Sequence, residues 1–545
     1  MPKVPINHMT WRWLALSVAL CVALTASLAA AQSSVRVFTA SQPASSFLAH
    51  SANTGDAQAI FEALHCRMLA LTNEFDLVPE LATGYELAED GVTYTFRLDP
   101  SARWHDGTPV TAADVEFSWV AYASSASLSR VRAPVVNSVA GGADVMASAA
   151  NATGYADTVS YAGIDVVDDH TIRFTLASPN ALWLIQASDY PNGMILPKHI
   201  LADVPWADWP AHPMNLQSPV GCGAFEFVQR QDGQYVELKA FDHYHHGRPA
   251  IDRLFFMSWL AGEVAAAQLE SGELDLVLGL SLDNAQRLAP NPNIDVRTIG
   301  GSAAYQLSIQ TERVTDARVR LAMEYAIDRE GINEAIFYGL GEVVSCCLLN
   351  DWAIPPGQAV RPYDPERARA LLAEAGWDQN RVVDVIYPVG FRGSDTLLPI
   401  VQQQLAEVGI RLQLTPLEGS AFPARLNEAW DWEIFFNQSA NMLPDPGSFA
   451  LWECADPAQK TAGRGWTYCD PEFAALWRAG RATSNPAERA EIYQQLQTIF
   501  YEESPAVNIV LPPTVFGVRD RLEGVTPTPY LWNSFWNVHA WTVND

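Results

Sequence analysis

Three short stretches hold the residues best suited to chemistry. "HYHHG" carries His243, His245 and His246. Imidazoles on alternate positions can share a metal, but a structural or catalytic site recruits further ligands. The same histidines can close a strand at the surface, and no metal is assigned to them. "VGCGAF" carries Gly221, Cys222 and Gly223. It has only the first two glycines of a dinucleotide fingerprint and precedes a strand rather than a helix, so no cofactor is expected. Its glycines fit a tight loop whose amides lie against a ligand, or an ordinary turn. "NMLPDPGSF" sets Asp445 between two prolines, reached from the apolar "DWEIFF". A rigid carboxylate at a strand's end can pair with a ligand's ammonium; an Asp-Pro turn or helix cap is the alternative. The sequence contains no HExxH, GxSxG or GxxxxGK[ST], so it is read as no enzyme and no catalytic residue is assigned.

Cysteines add a covalent possibility. Beyond Cys21 there are Cys66, Cys222, Cys346, Cys347, Cys454 and Cys469. An even number in an exported chain favours disulfides. Cys454 and Cys469 enclose the polar "ADPAQKTAGRGWTY", and closing that loop is worth about 3 kcal/mol on the chain-entropy argument. The other four cannot be paired from sequence, although the adjacent Cys346 and Cys347 fit bonds elsewhere better than to each other.

Export itself is read from the amino terminus. Lys3, His8 and Arg12 precede an apolar run from Trp13 to Ala30, and Ala29–Ala31 supply small residues before Gln32. This matches a signal peptide over residues 1–31 that is cleaved on passage to the periplasm. A membrane anchor is the competing interpretation, but no basic stop-transfer cluster follows. A formal charge of -28 argues against nucleic acid or anionic lipid as partner. The 18 tryptophans and 17 tyrosines suit an enclosed pocket for an organic ligand.

The elements that must position these residues mix helix and strand. Tyr94, Phe96 and Leu98 alternate with Thr93, Thr95 and Arg97, as do Ile172, Phe174 and Leu176 with their neighbours, predicting half-buried strands. Residues 60–71 read as a helix. "CGAFEFVQRQDGQYVELKAF" reads as a hairpin turning near Asp232-Gly233. Helices are expected over 262–271, after Thr111 with Asp114 as the capping acid, after Asp316, from Asp364-Pro365 to a stop at Gly376, and from Asn485-Pro486. No flexible linker separates domains, so ordered crossings must join them, as in a hinged clam-shell.

In order and spacing, several stretches resemble the bacterial extracellular solute-binding proteins of family 5, the peptide/nickel-type binding proteins of ATP-driven importers. The most telling is "LVPELATGYELAEDGVTYTFRLDPSARWHDGTPVTAADVEFSW", Leu77 to Trp119; "SPVGCGAFEF", "PYDPERARALLAEAGW" and "NPAERAEIYQQLQTIFYEESPAV" accompany it. The resemblance implies an α/β, two-lobed periplasmic-binding-protein fold of class II, the large peptide-binding type with an extra domain. Domain I would combine residues 32–77, 215–305 and 513–545; domain II would be the insertion 78–214, and domain III 306–512.

The same resemblance implies a short peptide or similar organic ligand sealed between two lobes. Asp445 would hold its amino terminus, and the backbone of Gly221, Cys222 and Gly223 and of Ser439, Ala440, Asn441, Met442 and Leu443 would hydrogen-bond its length. Trp432, Trp452 and Trp536 would wall the pocket, and a cysteine pair like Cys454–Cys469 follows the carboxylate in relatives. The implied partners are an inner-membrane ABC permease and its ATPase, with the binding protein a monomer. This chain departs from the pattern at Cys222, where threonine is usual, near Ala224, where proline is usual, and at His245, where tryptophan is expected after Tyr244. An opine, a glycoside or a nickel chelate are alternative ligands; a secreted hydrolase, a sensor or a peptide chaperone are alternative roles.

Overall fold

The computed structural model describes residues 32–39, 46–48, 55–74, 76–124, 132–188, 193–258, 260–344, 350–391, 393–440, 445–448, 468, 470–529 and 531–544. The expected leader lies outside these, as do Asn441, Met442, Leu443, Trp452, Cys346, Cys347, Cys454 and Cys469.

Three sheets carry the architecture. The first is built from β1 (Ser34–Phe38), β8 (Phe225–Gln231), β9 (Tyr235–Ala240), β10 (Arg253–Met257), β11 (Leu276–Leu278), β12 (Ile294–Ile299) and β18 (Thr514–Arg519). Its order is β12-β18-β11-β1-β10-β9-β8, with β1 parallel to β10 and β11. The second has four antiparallel strands, β4 (Ala82–Leu87), β5 (Thr93–Leu98), β7 (Thr171–Thr175) and β6 (Ile164–Asp168), in that order. The third runs β15 (Arg411–Leu417), β14 (Val382–Pro388), β16 (Ile434–Ala440), β13 (Ala303–Ile309), β17 (Ala506–Val510). Two short pairs, β2 (Leu69–Leu71) with β3 (Leu77–Pro79) and β19 (Leu522–Glu523) with β20 (Thr542–Val543), complete the strands among the described residues.

Local sequence accounts for most of these elements. β5 buries Tyr94, Phe96 and Leu98 and turns Arg97 out to water, the period-two pattern of a half-covered sheet. β8 and β9 form the hairpin, with Gly233 at φ +73 in its turn. The helix Pro365–Glu374 begins where the Asp364 carboxylate accepts from the Arg367 N–H, and it buries Ala368, Leu371 and Leu372. Asp114 accepts from the Thr111 N–H at 2.8 Å and so does serve as the capping acid. One expectation fails: the helix predicted over 60–71 spans Gly55–Leu64, and Leu69–Leu71 is strand β2. The chain is pulled out of helix beyond Leu64 because Cys66 is bonded covalently elsewhere and the Arg67 N–H is taken by Glu80 at 2.6 Å.

That covalent bond, Cys66–Cys222, was not pairable from sequence. It joins the passages by which the chain leaves and re-enters the first sheet's lobe, across a sequence separation of 156 that contains the four-stranded sheet. The passages are pressed together. A Cβ on Gly221 would lie 1.8 Å from the Leu64 carbonyl oxygen, and one on Gly223 2.6 Å from that of Ala63. The Gly223 N–H donates to Leu64 O, and the His105 N–H donates to Gly221 O. The His105 ring bridges the loop, its Nδ1 accepting from Gly221 N at 3.1 Å and its Nε2 meeting Gly223 O at 3.1 Å.

A buried charge cluster lies beside this root. Glu62 and Arg67 form a buried ion pair, and Arg67 reaches Glu80 through its backbone. Tyr244 donates to Glu80 Oε1 at 3.2 Å, while His245 and His246 both place Nε2 against the Glu80 carbonyl, at 3.1 and 3.0 Å. The histidines therefore bind protein backbone, and His243 is exposed beside the Phe241 ring. Burial pushes the carboxyls of Glu62 and Glu80 each up to about 7, because one guanidinium only partly offsets two desolvated anions.

The chain crosses between the first and third sheets twice. β12 leads through Gly300, Gly301 and Ser302 into β13, and β17 leads through Leu511, Pro512 and Pro513 into β18. β13 begins at Ala303, so the boundary expected at residue 305 falls inside a strand of the third sheet. The crossings touch: a Cβ on Gly301 would sit 2.1 Å from the Pro512 carbonyl oxygen.

Two outcomes test this account. Cys222→Ser should lower stability in urea by about 3–5 kcal/mol, and an unreduced digest of the native protein should contain linked Cys66 and Cys222 peptides. The raised carboxyls favour folding fully below about pH 4.5, and that contribution is lost as pH rises through about 7. His65 and His105 act oppositely: burial lowers them to about 4 and 3, so their contribution is lost as pH falls through those values. Glu80→Gln removes one raised carboxyl only. Its stability relative to the wild type should therefore improve by up to about 3 kcal/mol between pH 5 and 8, and an unchanged difference would refute the assignment.

Candidate functional site

In open α/β sheets, ligand crevices form outside the carboxyl ends of the strands. Here two sheets aim such ends at one another. β1 ends at Phe38 and its parallel neighbour β11 at Leu278; Thr39, Leu278 and Leu280 line one wall of a cleft. The opposite wall comes from the third sheet's lobe, with Gln438 near the end of β16, Ala303 and Tyr305 of β13, and Phe337 and Tyr338 at the end of the helix Arg329–Phe337. The crossing residues Gly301, Ser302, Pro512 and Pro513 form its floor. The cleft encloses about 660 Å³, within the range of small-ligand sites.

Its lining is apolar with scattered hydroxyls and amides, among them Gln58, Ser281 and Thr396. Gly393 lines it too, at the amino end of the helix Ser394–Glu407, where φ +81 suits glycine. A hydrogen bond spans the cleft: the Tyr338 hydroxyl donates to Asp283 Oδ1 at 2.5 Å. That bond raises the Tyr338 hydroxyl above the usual phenol range, so the proton stays on oxygen.

Among the described residues, the strand beside the cleft has one side unpaired over part of its length. β16 pairs with β13 through to Ala440, whose partner is Ala303, with Ser439 opposite Ala304. On its other side β14 reaches it only at Ile434 and Phe435. From Phe436 to Ala440 no described strand occupies that edge. Ser439 and Ala440 thus present backbone at the cleft end of the sheet.

Several predicted site residues lie elsewhere. Gly221 and Gly223 have both backbone groups hydrogen-bonded by His105 and Leu64, and Cys222 is in the disulfide, so this loop secures the inserted domain; it does not line the cleft. Trp432 precedes β16 at its amino end, about 20 Å along the strand from Gln438. It is fully buried, donates from Nε1 to the Leu426 carbonyl and stacks on Trp430. Trp536 is half-buried near the carboxyl terminus, with Nε1 on Thr526 Oγ1 at 3.0 Å, and it does not line the cleft.

Asp445 is buried and already holds protein partners. Its Oδ1 accepts from Arg489 Nη2 at 2.7 Å and from the Gly447 N–H at 2.9 Å. Arg489 comes from the helix Pro486–Glu503, and Gly447 packs against Leu182 of the inserted domain. A second contact, from the Ala181 N–H to the Arg481 carbonyl at 2.9 Å, closes the inserted domain onto the third sheet's lobe. Sequence reading missed Asp283, Tyr338 and Gln438. The first two are surface residues in helical context; only the meeting of lobes makes them neighbours.

Comparison with known proteins agrees with this architecture. Residues 76–459 match the model of the bacterial extracellular solute-binding proteins, family 5. A dipeptide-binding protein of Escherichia coli K12 is 27% identical over 479 residues, covering 85% of this chain and 86% of its own. The solved structure of AppA from Bacillus subtilis with a nonapeptide superposes with a TM-score of 0.75 at 21% identity, covering 94% of this chain and all of the other (100%). AgaA of A. tumefaciens R10 with agropinic acid gives a TM-score of 0.76 at 22% identity, covering 94% and 99%. With the family model spanning well over half its length, the chain belongs to the bacterial extracellular solute-binding proteins of family 5.

Proposed function

We propose that this protein captures a short peptide, or a comparable small organic solute, outside the cytoplasmic membrane and delivers it to an ABC permease driven by its ATPase. The observation that carries the reading is the cleft of about 660 Å³ at the facing strand ends, floored by the two crossings. Rotation about those crossings opens and shuts it, and a ligand touching both walls shifts the population toward the closed form. Capture of this kind makes and breaks no covalent bond. A signal peptide over residues 1–31 would place the protein in the periplasm as a monomer.

The open side of β16 suits an extended ligand. Backbone groups of Ser439 and Ala440, continued by Asn441, Met442 and Leu443, would pair with a peptide's main chain, a contact indifferent to side chains. Trp452, next to this segment in sequence, would add an aromatic wall. The E. coli relative is named a dipeptide-binding protein and AppA was solved with a nonapeptide, which supports a peptide here. The disulfide Cys454–Cys469 would steady the loop beyond Asp445.

The ion pair of Asp445 with Arg489 supports a structural part for this carboxylate, fixing the exit from β16, in place of the ligand-anchor part its sequence suggests. Asp445→Ala should therefore lower the unfolding free energy by about 3 kcal/mol, since it strands a mostly buried guanidinium. A variant as stable as the wild type but weakened in peptide affinity would restore the ligand-anchor role. For the function itself, protein purified without unfolding should release a small organic ligand in native mass spectrometry. Added Ala-Ala-Ala should reduce the radius of gyration of the emptied protein in solution scattering. No retained molecule and no compaction with any peptide would defeat the reading.

A further inference from the structure

Asp283 and Tyr338 stand on opposite lobes. Asp283 lies in the first turn of the helix Leu282–Leu288, on the lobe of the first sheet. Tyr338 ends the helix Arg329–Phe337 on the other. Tyr338 holds φ +55, a left-handed conformation uncommon for an aromatic residue, while its side chain remains 46% exposed. That conformation ends the helix, its backbone N–H donating to the Asn333 carbonyl, and it leaves the Tyr338 hydroxyl hydrogen-bonded to Asp283 on the other lobe.

The described lining of the cleft is lopsided in charge. Among the described lining residues Asp283 is the only one with an ionised side chain, and none is Lys or Arg. The other polar groups are neutral, such as Gln58, Ser281, Thr396 and Gln438. Tyr338 occupies Oδ1 of Asp283 as a neutral donor, which orients the carboxylate without cancelling its charge. No described residue donates to Oδ2. Asp283 is exposed with the two lobes joined, so its second carboxylate oxygen can meet a cation carried by the ligand.

We infer that Asp283, oriented by Tyr338, is a specificity-determining residue that selects ligands carrying an ammonium or guanidinium group at its end of the cleft. This rests on the peptide reading above and adds the charge class of the side chain preferred. The site is complete only when both lobes meet, so recognition of the cation and closure are one event.

Calorimetric titration with Ala-Lys-Ala, Ala-Ala-Ala and Ala-Glu-Ala tests it. The lysine peptide should bind about tenfold tighter than the alanine peptide, and the glutamate peptide more weakly than either. In Asp283→Asn, an exposed substitution, the lysine preference, read as the ratio of the Ala-Lys-Ala and Ala-Ala-Ala affinities in the same protein, should fall to about one. Tyr338→Phe should reduce the preference by less, since the charge remains. Equal affinities in the wild type, or a lysine preference that survives Asp283→Asn, overturns the inference. Failure of all three peptides to bind defeats the peptide reading instead. Thermal-shift measurement with putrescine and succinate then decides the charge rule: protection by putrescine alone keeps it, and any other pattern overturns it.

Discussion

Two strand crossings, side by side, are the constraint on which the molecule's behaviour depends. Gly301 passes so close to the Pro512 carbonyl that no side chain fits between them. The two connections must therefore bend together, which confines the lobes to rotation about one line. The same residues floor the cleft, so the pivot and the binding site are a single piece of structure. A guest resting on the floor feels the angle of the lobes directly, and population shift needs no longer route.

Much of the fold was legible in the sequence because local rules decided it. The alternation in Thr93–Leu98 places Tyr94, Phe96 and Leu98 inside, and Asp364, Asp316 and Asn485 cap the helices they precede. What could not be read was long-range. The helix expected over 60–71 breaks at Leu64 because a cysteine 156 positions away claims Cys66. A hint lay in the departure at Cys222 from the threonine usual in relatives, for an unusual cysteine asks for a partner. The site was legible in outline only. Gln438, the neighbour of the expected Ser439, lines the cleft, but Trp432 shows why residue type misleads: a tryptophan at the amino end of the same strand is core. Asp283 and Tyr338 carry no local signature at all.

Charge is handled differently at the two places where domains join. At the root of the insertion Glu62, Arg67, Glu80 and Tyr244 are shut away from water and tied to backbone, with His245 and His246 closing the edge. That arrangement holds one geometry. Asp445 and Arg489 do similar work where the third sheet's lobe meets Leu182 of the inserted domain. Across the cleft, by contrast, the described contact is a single solvent-facing hydrogen bond from Tyr338, which water can replace at little cost when the lobes part. Fixed joints and a separable one are thus distinguished by burial.

Strand order in the first sheet has a consequence for synthesis. β18, near the carboxyl terminus, lies between β11 and β12 rather than at an edge. Until residues 514–519 exist, β11 and β12 flank a slot one strand wide, and each exposes a row of unmet amides to it. The sheet is consequently finished only after the whole of the third sheet's lobe has been made. A nascent polypeptide lacking that strand has a gap at the centre of its first sheet.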